Sequence, residues 1–366
     1  MKNQMMIIFI VFLLIPISST ALEHAQNQNN IQNYQRTIPL EPRIIYVDDD
    51  NINGPWYGTI EYPFKLIRMG LGAAFDGDIV YVFEGTYEEC YLDVYNQITI
   101  QGENPSNTIV DGKGYSIIYI RKPNVVLTGF TFRNAIEYSA IWMDSHHITI
   151  NNNIITECTR GIFAPLISDN ITISNNVIYN NQEEGIKMYS DNNYFTISNN
   201  TFIDNPSGIK ISGGNHHIII ENNIFQNNKY GVLIGAGNRG YAQCFSITNN
   251  IFEESNNTGL CLDFTSNSLI SQNTFKNNNQ GLFFKKANGN QITKNNFIGN
   301  NEHVTFRYYE KRERCYFRQN YWDNWFKFLP IPKPIKGFVR FYNWWGGYYD
   351  RLWYNIDWFP AIKPYE

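Results

Sequence analysis

The sequence predicts an all-β solenoid, a single-stranded parallel β-helix with coils of about 23 residues. Three observations predict it: an apolar anchor that returns at nearly constant spacing, an asparagine two places before every anchor, and a short alternating strand after it where a helix could have stood. The anchors are Ile155, Ile178, Phe202, Phe225, Phe252, Phe275, Phe297 and Trp322, at intervals of 23, 24, 23, 27, 23, 22 and 25 residues. The asparagines are Asn153, Asn176, Asn200, Asn223, Asn250, Asn273, Asn295 and Asn320. A glycine follows six or seven places after each anchor, at Gly161, Gly185, Gly208, Gly231, Gly259 and Gly281, until His303 takes its place. Phe130 and Phe132 mark a turn without asparagine before the run.

A leucine-rich repeat shares the pattern of alternating aliphatics and asparagine, but it needs a helix or 3₁₀ turn after the anchor. Here a polar turn such as "YNNQEE" leads straight into "GIKMY", and the equivalent positions read "GIKIS", "GVLIG" and "GLCLD". Isoleucine, valine and phenylalanine dominate, and these favour strands. Stacking coils at the inter-strand spacing of roughly 4.8 Å turns each repeated position into a column. The recurrent asparagine therefore has two expected tasks. It tolerates the left-handed backbone of a tight corner, and its amide bonds to its neighbours above and below as a ladder.

The flanks read differently. Residues 1–21 carry Lys2 and the apolar run Met5 to Ile17 before "SSTALEHA", the pattern of a secretory signal peptide, and this run is short of the roughly 20 residues of a membrane span. Residues 22–42 form a polar, low-complexity leader. Residues 43–95 are expected to cap the start, with a helix from about Tyr62 to Ala74. Repeats occupy 96–322, and the aromatic segment 323–366 closes the far end. Six of the eight tryptophans, Trp322, Trp325, Trp344, Trp345, Trp353 and Trp358, fall there and are expected to plug the last turn.

Composition narrows the partners. A net charge of -4, or about -5 without Lys2, and the lack of a basic stripe argue against nucleic acid. The five cysteines, Cys90, Cys158, Cys244, Cys261 and Cys315, have no CxxC spacing, which suits neither a zinc ribbon nor a disulfide framework. One disulfide stays open. No span beyond the signal is expected, so localisation reads as secreted or cell-surface.

The stretches "GTIEYPFKLI" and "GDIVYVFEGTY" and the "NNxF...NNxxGI" repeats resemble secreted right-handed parallel β-helix proteins of the NosD type, within the carbohydrate-binding and sugar-hydrolase group of pectin-lyase-like folds. "NYWDNW" and "WYNIDWFPAIKPY" resemble the tails of exported surface proteins of that kind. The resemblance runs from about Ile44 to the end and implies right-handed coiling. It also raises periplasmic copper-site maturation, which requires clustered His, Cys or Met. Met143 and Met188 alternate with outward residues and read as core. His146-His147 and His216-His217 are equivalent positions three turns, or about 14 Å, apart. The copper role is therefore not expected to transfer, and no metal or other cofactor is called for. "DDNINGPW" (49–56) approaches a calcium loop but has Ile60 at its twelfth position, so it reads as a polar turn.

Alternation along the "GI" strands puts Ile162, Ile186, Ile209 and Val232 inward and Phe163, Lys187, Lys210 and Leu233 outward, preceded by Trp142. Beside them run Asp144, Pro165, Tyr189, Ser212, Gly235, Asp263, Lys285 and Arg307. Trp142, Asp144, Phe163, Lys187, Tyr189 and Lys210 are the expected glycan face, since aromatic planes and lysines suit a neutral or anionic sugar chain along the axis. No two carboxylates adjoin in these columns, so no catalytic residue is expected. Glu183-Glu184 and Asp191 read as turn residues that serve solubility. Of the sequons at Asn170, Asn199 and Asn256, only Asn256 reads as comfortably exposed. The expected role is binding or structural and carbohydrate-related, with two rivals: a polysaccharide lyase or glycoside hydrolase, and a NosD-like metal-site maturation factor.

Overall fold

The computed structural model describes residues 41–235, 242–309, 313–329, 331–343, 345 and 347–365. The expected signal peptide, the leader up to residue 40, and Trp344 lie outside the described residues.

Three stacks of short parallel strands wrap one apolar core, and each coil contributes one strand to each stack. One stack is the 11-stranded sheet from Gly85–Tyr87 to Tyr321–Trp322. A second runs from Leu92–Val94 through Glu184–Met188 to Glu302–Tyr308, and a third from Ile44–Val47 through Asn193–Ser198 to Tyr316–Arg318. The register repeats the sequence alignment. Ile155 pairs with Ile178, Ile178 with Phe202 and Phe202 with Phe225, and the chain of pairs ends at Phe297 with Trp322.

Register places like on like. Phe202, Phe225, Phe252, Phe275 and Phe297 stack with ring centroids 4.8 to 5.0 Å apart and planes within 6°, and Trp322 closes the stack on Phe297 at 4.5 Å. Offset stacking of this kind adds about 0.5–1.5 kcal/mol per pair beyond the area buried. Beside the rings lies the glycine column, where side chains have no room. A Cβ on Gly185 would sit 2.6 Å from the Gly208 carbonyl oxygen and 3.1 Å from Ile178 and Phe202. His303 is admitted in the next place because the column ends there, with its ring near Phe297 and Trp322.

The corners divide between two neighbours the tasks that the sequence assigns to a single asparagine. The residue before each ladder position takes the left-handed conformation: Asn152, Asn175, Asn199, Asn222, Asn249, Gln272, Lys294 and Gln319 have φ between 53° and 59°. The next residue supplies the ladder. Asn176 donates from its backbone N–H and from Nδ2 to Oδ1 of Asn200 (2.9 Å each), and Asn200 does the same to Asn223 (2.9 and 3.0 Å). Nδ2 of Asn176 also donates to the carbonyls of Ile150 and Ser174. A second ladder runs through Asn181, Asn205 and Asn228, preceded by left-handed Asn180, Asp204 and Asn227. Left-handed corners also expose Asn170 and Asn199, so all three sequon asparagines face solvent, against the expectation for Asn256 alone.

The caps are narrower than expected. The N-terminal helix, α1, covers Ile67–Ala73, because Pro63 and the extended Leu66 precede it. Its first N–H groups are capped from afar: the Glu89 carboxylate accepts from the N–H of Ile67 (2.6 Å) and of Arg68 (3.2 Å). In the turn 49–54, Asp49 accepts from the Thr86 N–H, and Asn51 Nδ2 donates to the carbonyls of Pro55 and Pro63. At the far end Trp322 is buried and Trp325 packs against the core, whereas Trp345, Trp353 and Trp358 are exposed. The rest of the plug comes from an antiparallel hairpin, Lys333–Tyr342 and Tyr348–Asp357, through Ile335, Val339 and Asp357. The buried Asp357 carboxylate ends the asparagine ladder by accepting from the Gln319 and Asn320 N–H groups, Asn320 Nδ2 and Trp322 Nε1. All five cysteines are unpaired thiols.

Candidate functional site

The outward face of the second stack carries the site. Strand register aligns Trp142 with Phe163, Phe163 with Lys187, Lys187 with Lys210 and Lys210 with Leu233, one residue per coil. Aromatic rings climb this face from Tyr119 to Trp142 (5.7 Å), Phe163 (4.8 Å) and Tyr189 (5.4 Å). They lead to a groove of about 460 Å³ whose lining includes Arg160, Glu184, Lys187, Tyr189, Lys210 and Lys229.

The floor of the groove is an ion cluster that the alternation rule misses. Glu184 opens the strand Glu184–Met188 instead of lying in a turn, and its side chain is only 5% exposed. The chain bends at Gly185, whose missing side chain points at the core residues Ile178 and Phe202, so Gly185 and Ile186 both face inward. Parity is broken, and Glu184 emerges on the same side as Lys187. Its carboxylate then meets Lys210 Nζ (2.9 Å), Arg160 Nε (3.0 Å) and Lys187 Nζ (3.6 Å). Arg160 also pairs with Glu183.

Burial alone would raise the Glu184 carboxyl. The hydrogen bond from Lys210 and the charges of Lys187, Lys210 and Arg160 outweigh it and hold the group below the usual glutamate value. Lys187 is covered by its neighbours, with Nζ 3.2 Å from Ser212 Oγ and 5.0 Å from the centre of the Tyr189 ring. Burial pushes its ammonium down to about 8, with repulsion from Lys210 and Arg160 adding to the shift and Glu184 opposing it. Lys210, more exposed, is raised by its bond to Glu184, which outweighs its own partial burial.

Of the six residues expected to form the glycan face, Lys187, Tyr189 and Lys210 line the groove. Trp142 and Phe163 stand just before it, Phe163 itself buried under Trp142 and Tyr189. Asp144 is exposed and stands outside the lining. Four basic side chains (Arg160, Lys187, Lys210, Lys229) against two acidic ones (Glu183, Glu184) leave the lining at +2 with Lys187 protonated.

Strands, register and core together define the class, a right-handed parallel β-helix. Residues 96–242 match the family model described as "Right handed beta helix region". Residues 240–325 match that of "Periplasmic copper-binding protein (NosD)", and the chain is a β-helix repeat protein of the NosD type. No curated protein sequence matches it. Among solved structures it is similar to the A-module of the Azotobacter vinelandii mannuronan C-5 epimerase AlgE4, at 16% identity and TM-score 0.61, over 71% of this chain and 81% of that one. The AlgE6 A-module from the same organism gives 16%, 0.60, 71% and 80%. The Yersinia enterocolitica family 28 exopolygalacturonase gives 12%, 0.50, 75% and 77%. At these identities the likeness is one of fold.

The copper in the family description does not fit these side chains. Among the described residues no group of three or more His, Cys, Asp or Glu is placed to hold a metal ion. Met143 and Met188 are fully buried in the core. No helix among the described residues is long and apolar enough to cross a membrane.

Proposed function

We propose that this chain is an exported glycan-binding β-helix protein whose ligand is an acidic polysaccharide laid along the solenoid axis. The observation that carries the reading is the continuity of one face: Tyr119, Trp142 and Tyr189, with the buried Phe163 as the packing support between the last two, form a ring contact chain at centroid spacings of 4.8 to 5.7 Å that runs directly into the cationic groove. The accessible rings of Tyr119, Trp142 and Tyr189 offer a stacking surface to sugars. The surplus positive charge beside them suits carboxylates on those sugars, which the accessible Lys210 and Lys229 would meet, with Lys187 beneath them. Neighbours named for mannuronan and polygalacturonan chemistry support a carbohydrate ligand. The apolar run at residues 5–17 and the periplasmic description of the matched family support export.

Titration calorimetry with oligouronates against neutral glucans tests this. The expected result is binding of the acidic chain alone, weakened by salt and by Lys210→Ala or Tyr189→Ala. Equal binding of neutral glucan, or none of either, overturns it. The lyase reading draws on one observation, the near-neutral Lys187 ammonium, since a base poised near the working pH can take a proton. Release of an unsaturated sugar, abolished by Lys187→Met, would replace binding by catalysis.

A further inference from the structure

The last strand, Tyr348–Asp357, is ten residues long and pairs on one side with Lys333–Tyr342. On its other side it meets only Phe317, at Asp357. Among the described residues, 348–356 make no other backbone pairing, which leaves an open row of N–H and C=O groups as the final rung of the solenoid. Its charges are confined to Asp350, Arg351 and the buried Asp357, with no lysine, proline or bulge to blunt the edge, and Asp350 is already paired to Arg340. Tyr348, Tyr349, Leu352, Trp353, Tyr354 and Ile356 are between 37% and 59% exposed.

We propose that a second copy of this chain covers this edge, the two last strands pairing antiparallel about a two-fold axis through Leu352. The inference is independent of the glycan reading. Backbone groups along an edge select another strand, whereas a sugar or a lipid layer would meet the side chains and leave those groups to water. The sequence of the strand then selects its own reverse. Centred on Leu352, the pairing opposes Tyr348 to Ile356, Tyr349 to Asn355, Asp350 to Tyr354 and Arg351 to Trp353, the last a cation on an indole, twice over. Asp350 arrives already paired to Arg340 (2.9 Å), so its charge brings no open demand. Centring on Arg351 would oppose two guanidinium groups, and centring on Trp353 would set Asp350 against Ile356. A cleft of about 370 Å³ beside this edge, lined by Tyr316, Trp353, Ile356 and Trp358 among others, lies where the partner's Tyr348 would enter.

Sedimentation velocity over a concentration series, with crosslinking, tests the pairing. The purified chain should be dimeric at high concentration. Leu352→Lys puts two ammonium groups opposite each other and should raise the dissociation constant about 100-fold, with an unchanged melting temperature at concentrations where both proteins are monomeric, because Leu352 is half-exposed. In a Cys244→Ser background, which removes the exposed native thiol, Leu352→Cys should form an intermolecular disulfide. Directly opposed residues in either kind of antiparallel pair lie within disulfide reach. Arg351→Cys should crosslink to a Trp353→Cys chain and not to itself. A monomer at every concentration overturns the proposal, as does a dimer indifferent to Leu352→Lys or one that crosslinks in another register. So does a monomer that binds anionic lipid vesicles through this edge.

Discussion

Replacing the two asparagines of one corner separately should give very different results. Asn222 has φ 56° and is exposed, so Asn222→Gly supplies a residue that adopts this conformation freely. Asn223 is buried. Its Oδ1 accepts from the N–H and Nδ2 of Asn200 (2.9 and 3.0 Å), and its Nδ2 donates to the carbonyls of Ile197 (2.8 Å) and Glu221 (3.0 Å) and to Oδ1 of Asn250 (3.0 Å). Asn223→Gly orphans the buried Asn200 N–H, at about 1–3 kcal/mol, and removes the two amide hydrogens that Nδ2 shares among its three acceptors, worth about 1 kcal/mol each. Both variants bear the same glycine entropy cost, below about 1 kcal/mol, so the difference isolates the ladder at about 4 kcal/mol. At about 2 °C per kcal/mol for a chain of this size, calorimetry should find the Asn223→Gly transition roughly 8 °C below that of Asn222→Gly. Melting temperatures within 2 °C of each other would refute the division of labour.

Three further outcomes follow from the same geometry. Lys187→Met should flatten the pH dependence of stability: the native ammonium titrates near 8 and the unfolded one near 10.5, so between those values the unfolded chain binds more protons and the parent gains up to about 3 kcal/mol with rising pH. Urea unfolding at pH 7 and pH 10 checks it, and parallel curves for parent and variant would refute the buried ammonium. Gly208→Ala puts a Cβ 2.7 Å from the Gly231 carbonyl oxygen and 2.8 Å from Phe225, which should cost about 2 kcal/mol in a chemical melt. Asp357→Leu strips the acceptor from the N–H groups of Gln319 and Asn320, from Asn320 Nδ2 and from Trp322 Nε1. It should accelerate hydrogen exchange in the last two coils while leaving the coils around Asn176 protected.

The fold was legible because its causes repeat. A column is written into the sequence once per coil, so Phe202 over Phe225 over Phe252 appears as a period before any contact is known. The site was less legible because its cause does not repeat. Alternation located Lys187, Tyr189 and Lys210, but it assumes a straight strand. The bend at Gly185 returns Glu184 to the side of Lys187 and turns a residue assigned to solubility into the anion that holds three cations together. Gly161 and Gly185 at the start of "GI" strands carried that signal, since a residue that must be glycine to clear the coil above also marks where parity changes. The tail misled in another way: six tryptophans suggested one plug, yet of the five described only Trp322 and Trp325 pack on the core, the hairpin supplies Ile335 and Val339, and the buried carboxylate of Asp357 does what no aromatic ring could.

The asparagine ladder also has a direction. Each ladder N–H and one amide hydrogen of each ladder asparagine point to the oxygen of the following coil, so an unfinished stack ends in unanswered donors on its C-terminal side and in unoccupied carbonyl oxygen on the other. The stack is a polar filament with one hungry end. Every coil laid down creates the demand that the next one meets, and Asp357, with two oxygens and no hydrogen to pass on, is where elongation stops.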